Sequence, residues 1–190
     1  QINLNDIEQI EIVEGSMGVT HGANAVSGVL NIVSKKSSQH KWNISATAQE
    51  ETVKDEYSHF EKGRHIQALK VSHTINENWF VSLGANRNDF QGFLDDKKGK
   101  NYSENEQMRG FRWLPKEQLN STALISYHKN NFNAFYKFEY LDETIDFYNS
   151  TVQSGYNTIL GLYRYASDKS YFVNRYFHNL NAIGKLFSKL

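Results

Sequence analysis

Period-two alternation is the feature that most limits what this chain can become. From Lys41 to Val53, Trp42, Ile44, Ala46 and Ala48 share one parity, while Asn43, Ser45, Thr47 and Gln49 share the other. Successive side chains on a strand point to opposite faces, so this pattern predicts a strand with one apolar and one polar side. It does not suit a helix, whose apolar positions recur every ~3.6 residues. The pattern returns in His65–Ile75, with Leu69, Val71 and Ile75 in phase. It returns in Trp79–Arg87, where Trp79, Val81, Leu83 and Ala85 oppose Ser82, Gly84 and Asn86. In Asn133–Leu141, Ala134, Tyr136, Phe138 and Tyr140 oppose Asn133, Lys137 and Glu139, with Phe135 as an interruption. Strands are also expected at Arg109–Leu114, Thr122–His128, Tyr156–Ala166 and Tyr171–Leu190, the last with Tyr176, His178, Leu180, Ala182, Gly184 and Leu186 in phase. That makes roughly seven or eight strands after residue 40.

The connections divide by length. Asn76-Glu77-Asn78 and His128–Asn131 read as short hairpin turns. Lys54–Gly63, Gln91–Met108 and Asp142–Ser154 read as longer polar loops, and Leu114–Asn120 as a turn around Pro115, which cannot donate to a ladder. Long loops are where binding tends to sit.

Composition narrows the class. Lys plus Arg equals Asp plus Glu at 21 each, which argues against a nucleic-acid binder with a broad basic surface. There is no Cys, so disulfide and thiolate chemistry are absent. Aromatics reach 14% although the mean hydropathy is −0.64. That combination is unusual for a soluble core, and it fits a wall with aromatic girdles on one side and polar residues on the other. No apolar run approaches the ~20 residues of a membrane helix, which says nothing against spanning strands.

A second feature precedes the alternating region. Ile7 to Lys36 reads as strand, glycine-punctuated loop, strand. Ile7, Ile10, Ile12 and Val13 form a β-branched run interleaved with Glu8, Glu11 and Glu14. Gly15, Gly18, Gly22 and Gly28 mark backbone that turns or approaches closely, and Val29–Val33 is a second β-rich run. The stretch resembles the C-terminal end of the plug domain of TonB-dependent outer-membrane receptors. That family shows an Ile-Glu-x-Ile-Glu-Val strand, a Gly-Pro turn, a Tyr-Gly-x-x-Ala-x-Gly-Gly loop and a Val-Ile-Asn-Ile-Ile-Thr-Lys strand. The matching positions are Ile7, Glu8, Ile10, Glu11, Ile12, Glu14, Gly15, Gly22, Ala25, Gly28, Val29, Asn31, Ile32 and Lys35, in order and without insertion. Ser16 stands where the family has Pro, His21 where it has Tyr, and Ser27 where it has the first Gly of the pair. Gly18 falls where a side chain is more common. A phosphate-cradling loop is excluded, because neither Gly-x-Gly-x-x-Gly nor Gly-x-x-x-x-Gly-Lys-Ser/Thr occurs.

The resemblance implies a β fold: a partial transmembrane antiparallel β-barrel preceded by the end of an α/β plug domain. Residues 1–36 would be the C-terminal part of the plug, 37–40 a linker, and 41–190 the N-terminal strands of an incomplete barrel. Plugged transporters carry about 22 strands, so the chain is expected to be a fragment, with plug and signal sequence upstream and further strands downstream of Leu190. The implied location is the outer membrane of a Gram-negative bacterium. The implied function is energy-coupled uptake of a scarce nutrient such as an iron chelate, a corrinoid or a glycan. Implied partners are that small ligand, outer-membrane lipid and the TonB energy-coupling complex, whose contact box lies outside this chain; no nucleic acid is expected. Glu14, Gly15, Gly22, Ala25, Gly28 and Asn31 would serve plug architecture rather than ligand chemistry.

Nothing points to catalysis, a metal or a cofactor. The seven His include no His-x-x-x-His pair with an intervening Glu. His59, Glu61 and His65 read as solvated loop residues. Glu50 and Glu51 point to opposite faces of a strand and cannot act together. Asp95-Asp96 reads as a solvated loop pair that could meet a cationic ligand. No Gly-x-Ser-x-Gly elbow is present. The alternative reading is a soluble β-rich ligand- or glycan-binding module, which accounts for the alternation and the aromatics but not for the residues of the 7–36 stretch.

Overall fold

The computed structural model describes residues 7–14, 28–34, 41–59 and 61–184, the first two segments as backbone only. They form β1 (Ile7–Glu14), β2 (Gly28–Ser34), β3 (Trp42–Glu51), β4 (Arg64–Thr74), β5 (Trp79–Phe90), β6 (Lys116–Lys129), β7 (Phe132–Phe147), β8 (Gln153–Asn157), β9 (Gly161–Tyr165) and β10 (Lys169–Ile183). No helix occurs among the described residues. β1 and β2 pair as an antiparallel two-stranded sheet, and so do β8 and β9. The main body is a six-stranded antiparallel sheet in the order β3-β4-β5-β6-β7-β10.

The sheet is an up-and-down meander, and its connections segregate. β4 joins β5 through residues 75–78, and β6 joins β7 through 130–131. In the first turn the Asn76 side chain accepts hydrogen bonds from the backbone N–H of Asn78 (2.9 Å) and Trp79 (3.0 Å). In the second, Asn130 takes φ 54°, a left-handed conformation that Asn tolerates better than most residues. At the opposite end lie three long connections, 52–63, 91–115 and 148–168. Alternate ends of a meander must face alternate sides, so every short turn is on one rim and every long loop on the other.

Register carries the alternation across the strands without slipping. One row reads Ala46, Leu69, Ala85, Ser121, Tyr140, Tyr176. The next toward the short-turn rim reads Ile44, Val71, Leu83, Ala123, Phe138, His178, and the next Trp42, His73, Val81, Ile125, Tyr136, Leu180. Trp79, Tyr127, Ala134 and Ala182 complete the band. No Asp, Glu, Lys or Arg stands in these rows. Above them, toward the long loops, the same face turns polar at Gln67, Arg87, Asp142 and Asn174. The opposite face carries Asn43, Ser45, Lys70, Ser72, Ser82, Asn86 and Thr122, with Ile66, Phe80, Leu124, Phe135, Leu141 and Phe177 among its apolar residues.

Burial runs opposite to that of a protein folded in water. Ile44 is 69% exposed, Leu83 65% and Leu180 78%, while Ser72 and Ser82 are 6% exposed and Gln118 4%. Among the described residues, Phe80, Phe93 and Val152 are the apolar side chains that are buried. Among the described residues the sheet therefore has no apolar core beneath it, and its exposed apolar side chains stand in consecutive rows rather than singly.

Four expectations need correction. Arg109–Leu114 is not a strand: it belongs to the long loop, tied by the isolated pairs Phe93–Trp113 and Gly99–Gly110. Leu114–Asn120 is not a turn, because β6 already begins at Lys116. Proline removes a ladder donor only at its own position, and Pro115 lies just outside the strand, its carbonyl accepting the Asp146 N–H at 3.2 Å. Asp142–Ser154 is not all loop, since β7 continues to Phe147. Its acidic residues mislead because Asp142 lies on the exposed face above the apolar band and Glu143 on the polar face, where a strand carries charge at little cost. The expected strand over Tyr156–Ala166 divides between β8 and β9.

Candidate functional site

The long-loop rim is where side chains of mixed chemistry converge. Residues 52–63 and 91–115 are locked together. Lys54 Nζ lies 2.7 Å from Asp95 Oδ1. Both residues hold left-handed backbone, φ 58° and 51°, and such non-glycine strain persists where the surroundings over-determine it. The Lys54 hydrogen bond holds the Asp95 carboxyl below its ordinary value, and the same contact raises the Lys54 ammonium. The Glu56 carboxylate accepts the N–H groups of Leu94 (3.1 Å) and Asp95 (2.9 Å). Arg112 binds Asp96, with Nε 2.6 Å from Oδ1 and Nη2 2.7 Å from Oδ2.

Residues 91–115 and 148–168 are joined as firmly. Arg109 is 8% exposed and forks onto Asp168, Nη1–Oδ1 at 2.6 Å and Nη2–Oδ2 at 2.7 Å. Nη1 also donates to the Asn149 carbonyl at 2.8 Å, and the Asn149 N–H returns a bond to Asp168 Oδ1 at 3.0 Å. Two parallel charge-assisted bonds fix geometry as well as sign. They hold the Asp168 carboxyl below its ordinary value. The neighbouring Tyr148 ring packs on Phe111, centroids 5.3 Å apart. Burial pushes its phenol up to about 12, with the Asp146 carboxylate adding to the shift. Arg164 Nη1 reaches the Ser103 carbonyl at 2.9 Å.

Beneath this rim, on the polar face, is a recess of about 460 Å³. Glu51, Arg64, Asn88, Phe90, Lys116 and Gln118 line it from four adjacent strands, and Lys54 and Trp113 line it from the loops. The strand residues share one face because Glu51 pairs with Arg64, Arg64 with Phe90, Phe90 with Lys116, and Asn88 with Gln118. A larger recess, about 810 Å³, lies at the short-turn end between Phe80, Asn133, Phe135, Asn181 and Ile183.

The sequence-based candidates fall as follows. Glu14 closes β1 opposite Gly28, and Asn31 pairs with Glu11, so the expected strand pair is present there. Gly15, Gly22 and Ala25 lie outside the described residues. Lys137 and Glu139 share the polar face, as expected, and form an ion pair. Glu50 and Glu51 do diverge: Glu50 contacts His65 and Glu51 approaches Arg64 at 3.6 Å. His65 departs from its reading as a solvated loop residue. It is a β4 residue with no exposed surface, directly opposite Glu50. Asp95 and Asp96 are loop residues, each with a cationic partner. No group of three or more metal-ligating side chains occurs among the described residues. The Arg109–Asp168 fork was missed because 59 residues separate its members and no local spacing announces it.

Comparison with protein-family models, with curated proteins and with solved structures finds no match to this chain.

Proposed function

We propose that this chain is part of a TonB-dependent outer-membrane receptor that imports a scarce nutrient through an energy-coupled barrel. Residues 1–36 would end the plug, 37–40 would link, and the six-stranded sheet would be an arc of barrel wall. The observation that carries this reading is the inversion of the sheet. Its exposed face is apolar over several consecutive rows, and its sheltered face is polar. A Lys or Arg at the middle of a lipid-facing wall costs about 2–4 kcal/mol, and the rows free of charge lie where that cost would fall. From Phe132 to Tyr140 the band runs about 27 Å along β7 at ~3.4 Å per residue. That matches the ~25 Å apolar belt of outer-membrane barrels.

Two further features support the reading. Trp42 stacks on His73, and Trp79, Tyr127 and Phe132 adjoin one another with centroids 4.8 and 6.1 Å apart. These form an aromatic row at the short-turn edge of the band. Tyr140 and Tyr176, 5.1 Å apart, mark the other edge. Aromatic girdles at both interfaces, short periplasmic turns and long outer loops belong together in such barrels. The long-loop rim would then face outward, the polar face would line the lumen, and the plug would bear on Phe80, Leu124 and Phe135. The TonB complex would pull the plug, and no covalent chemistry is involved.

The test is fractionation of cells producing the protein that contains this chain. It should sediment with outer membranes and resist extraction by salt and carbonate. Recovery in a soluble fraction as a folded monomer would replace the receptor with a soluble β-rich binding module.

A further inference from the structure

The recess beneath the loop rim has the chemistry of a particular ligand class. Trp113 lines it from the loop and is 59% exposed, although its segment is fixed. The Phe93 N–H bonds the Trp113 carbonyl at 3.0 Å, and the Phe93 and Trp113 rings adjoin at 5.2 Å. Gly92 makes this possible. It holds φ +85°, and a Cβ there would meet the Trp113 carbonyl oxygen at 2.9 Å and the Phe111 ring at 2.6 Å. A rigid indole with an open face is a stacking platform that loses little conformational entropy on binding.

Charge in the recess is balanced within the protein. Lys54 is matched by Asp95 at 2.7 Å, Lys116 by Glu143 at 2.8 Å and Arg64 by Glu51 at 3.6 Å. An ionic ligand would have to break one of these pairs and leave its partner exposed to a like charge. A neutral ligand carrying both donors and acceptors breaks none. Asn88, which accepts from Arg64 Nε at 2.9 Å, and Gln118, which donates to Glu143, place amides among the ion pairs. Planar polar groups of both senses below one open aromatic face suit a ring with hydroxyls at its edge and C–H bonds on its faces. The volume, about 460 Å³, lies within the ~300–1,000 Å³ of small-ligand sites.

We propose that this recess binds an uncharged sugar of mono- or disaccharide size, stacked on Trp113 and hydrogen-bonded by Asn88. The inference rests on the receptor reading, since it takes the recess to open into the barrel lumen. The chain's three tryptophans allow the two to be tested apart, because Trp42 and Trp79 lie in the aromatic row at the far rim. The protein that contains this chain, with any tryptophan outside it replaced by phenylalanine, is reconstituted in vesicles, with and without brominated acyl chains. In Trp113→Phe, brominated lipid should quench the remaining emission strongly. In the Trp42→Phe/Trp79→Phe variant, it should quench Trp113 weakly. That variant is then titrated with neutral α- and β-linked disaccharides of glucose, galactose and mannose, with glucuronate, and with ferric citrate.

Saturable change with a neutral sugar, lost more than tenfold in Asn88→Ala while bromolipid quenching is kept, supports the site. Loss of sugar binding in Trp113→Ala with recovery in Trp113→Tyr, followed by calorimetry, supports stacking. Response only to glucuronate or ferric citrate, or to none of the probes, overturns the sugar assignment and leaves the receptor reading standing. Absence of bromolipid quenching in Trp113→Phe removes both.

Discussion

Three residues apart on β5, Leu83 and Asn86 should answer a charge in opposite ways. Leu83 is exposed in the middle of the apolar band, and Asn86 lies on the polar face. Leu83→Lys should cost about 2–4 kcal/mol of stability in lipid vesicles, and Asn86→Lys less than ~1 kcal/mol. Urea unfolding of vesicle-bound protein measures both, and equal costs would count against a lipid-facing wall. Asp168 makes a second residue-scale case. Its carboxyl is held below the ordinary value by the Arg109 hydrogen bonds. A lowered folded-state pKa gives stability that is present above the unfolded value, near ~3.9, and lost as pH falls through the folded value. Proteolysis of the 148–168 loop should therefore stay flat from neutral pH down to about 5 and rise below about 4. In Asp168→Asn the loop should be cut faster at neutral pH, with the acid step much reduced. A step unchanged by that substitution would mean the Arg109 fork does not hold the loop.

At the scale of elements, the 91–115 loop depends at Gly92 on a backbone conformation that side chains rarely adopt and on space a Cβ would fill. Gly92→Ala should destabilise the loop by roughly 1–3 kcal/mol, seen as red-shifted Trp113 emission and faster cleavage near residues 91–93. Elements built on alternation were legible from sequence: β3, β4, β5 and the first half of β7 lie within a few residues of their expected places. Their faces were legible too, because Leu69, Leu83, Phe138 and Tyr176 were grouped by parity alone and the register brings them to one side. What could not be read were the places where strands rise above the apolar band. There the exposed face becomes polar, as at Asp142 and Glu117, and period two disappears although the ladder continues. The loop rim was equally hidden. Its joints, Lys54–Asp95 and Arg109–Asp168, span 41 and 59 residues. They arise from topology that places three loops side by side, not from any local motif.

Taken whole, the described residues centre on a six-stranded sheet with one apolar and one largely polar surface. The outer strands β3 and β10 each have a neighbour on one side only among the described residues, so each presents an open edge. In buffer without detergent the isolated chain should aggregate. In detergent micelles it should show β-rich circular dichroism and remain dispersed, as sedimentation velocity would reveal. A monodisperse, cooperatively melting species in plain buffer would contradict the inverted burial. The meander also bears on how such a wall changes over generations. Every strand added reverses the chain, so a single duplicated strand would put each later long loop on the wrong rim. A duplicated hairpin restores both direction and parity. In the proposed receptor, such a sheet widens or narrows most simply by pairs, and each pair brings one new loop at the long-loop rim on which selection can act while the older loops keep their contacts.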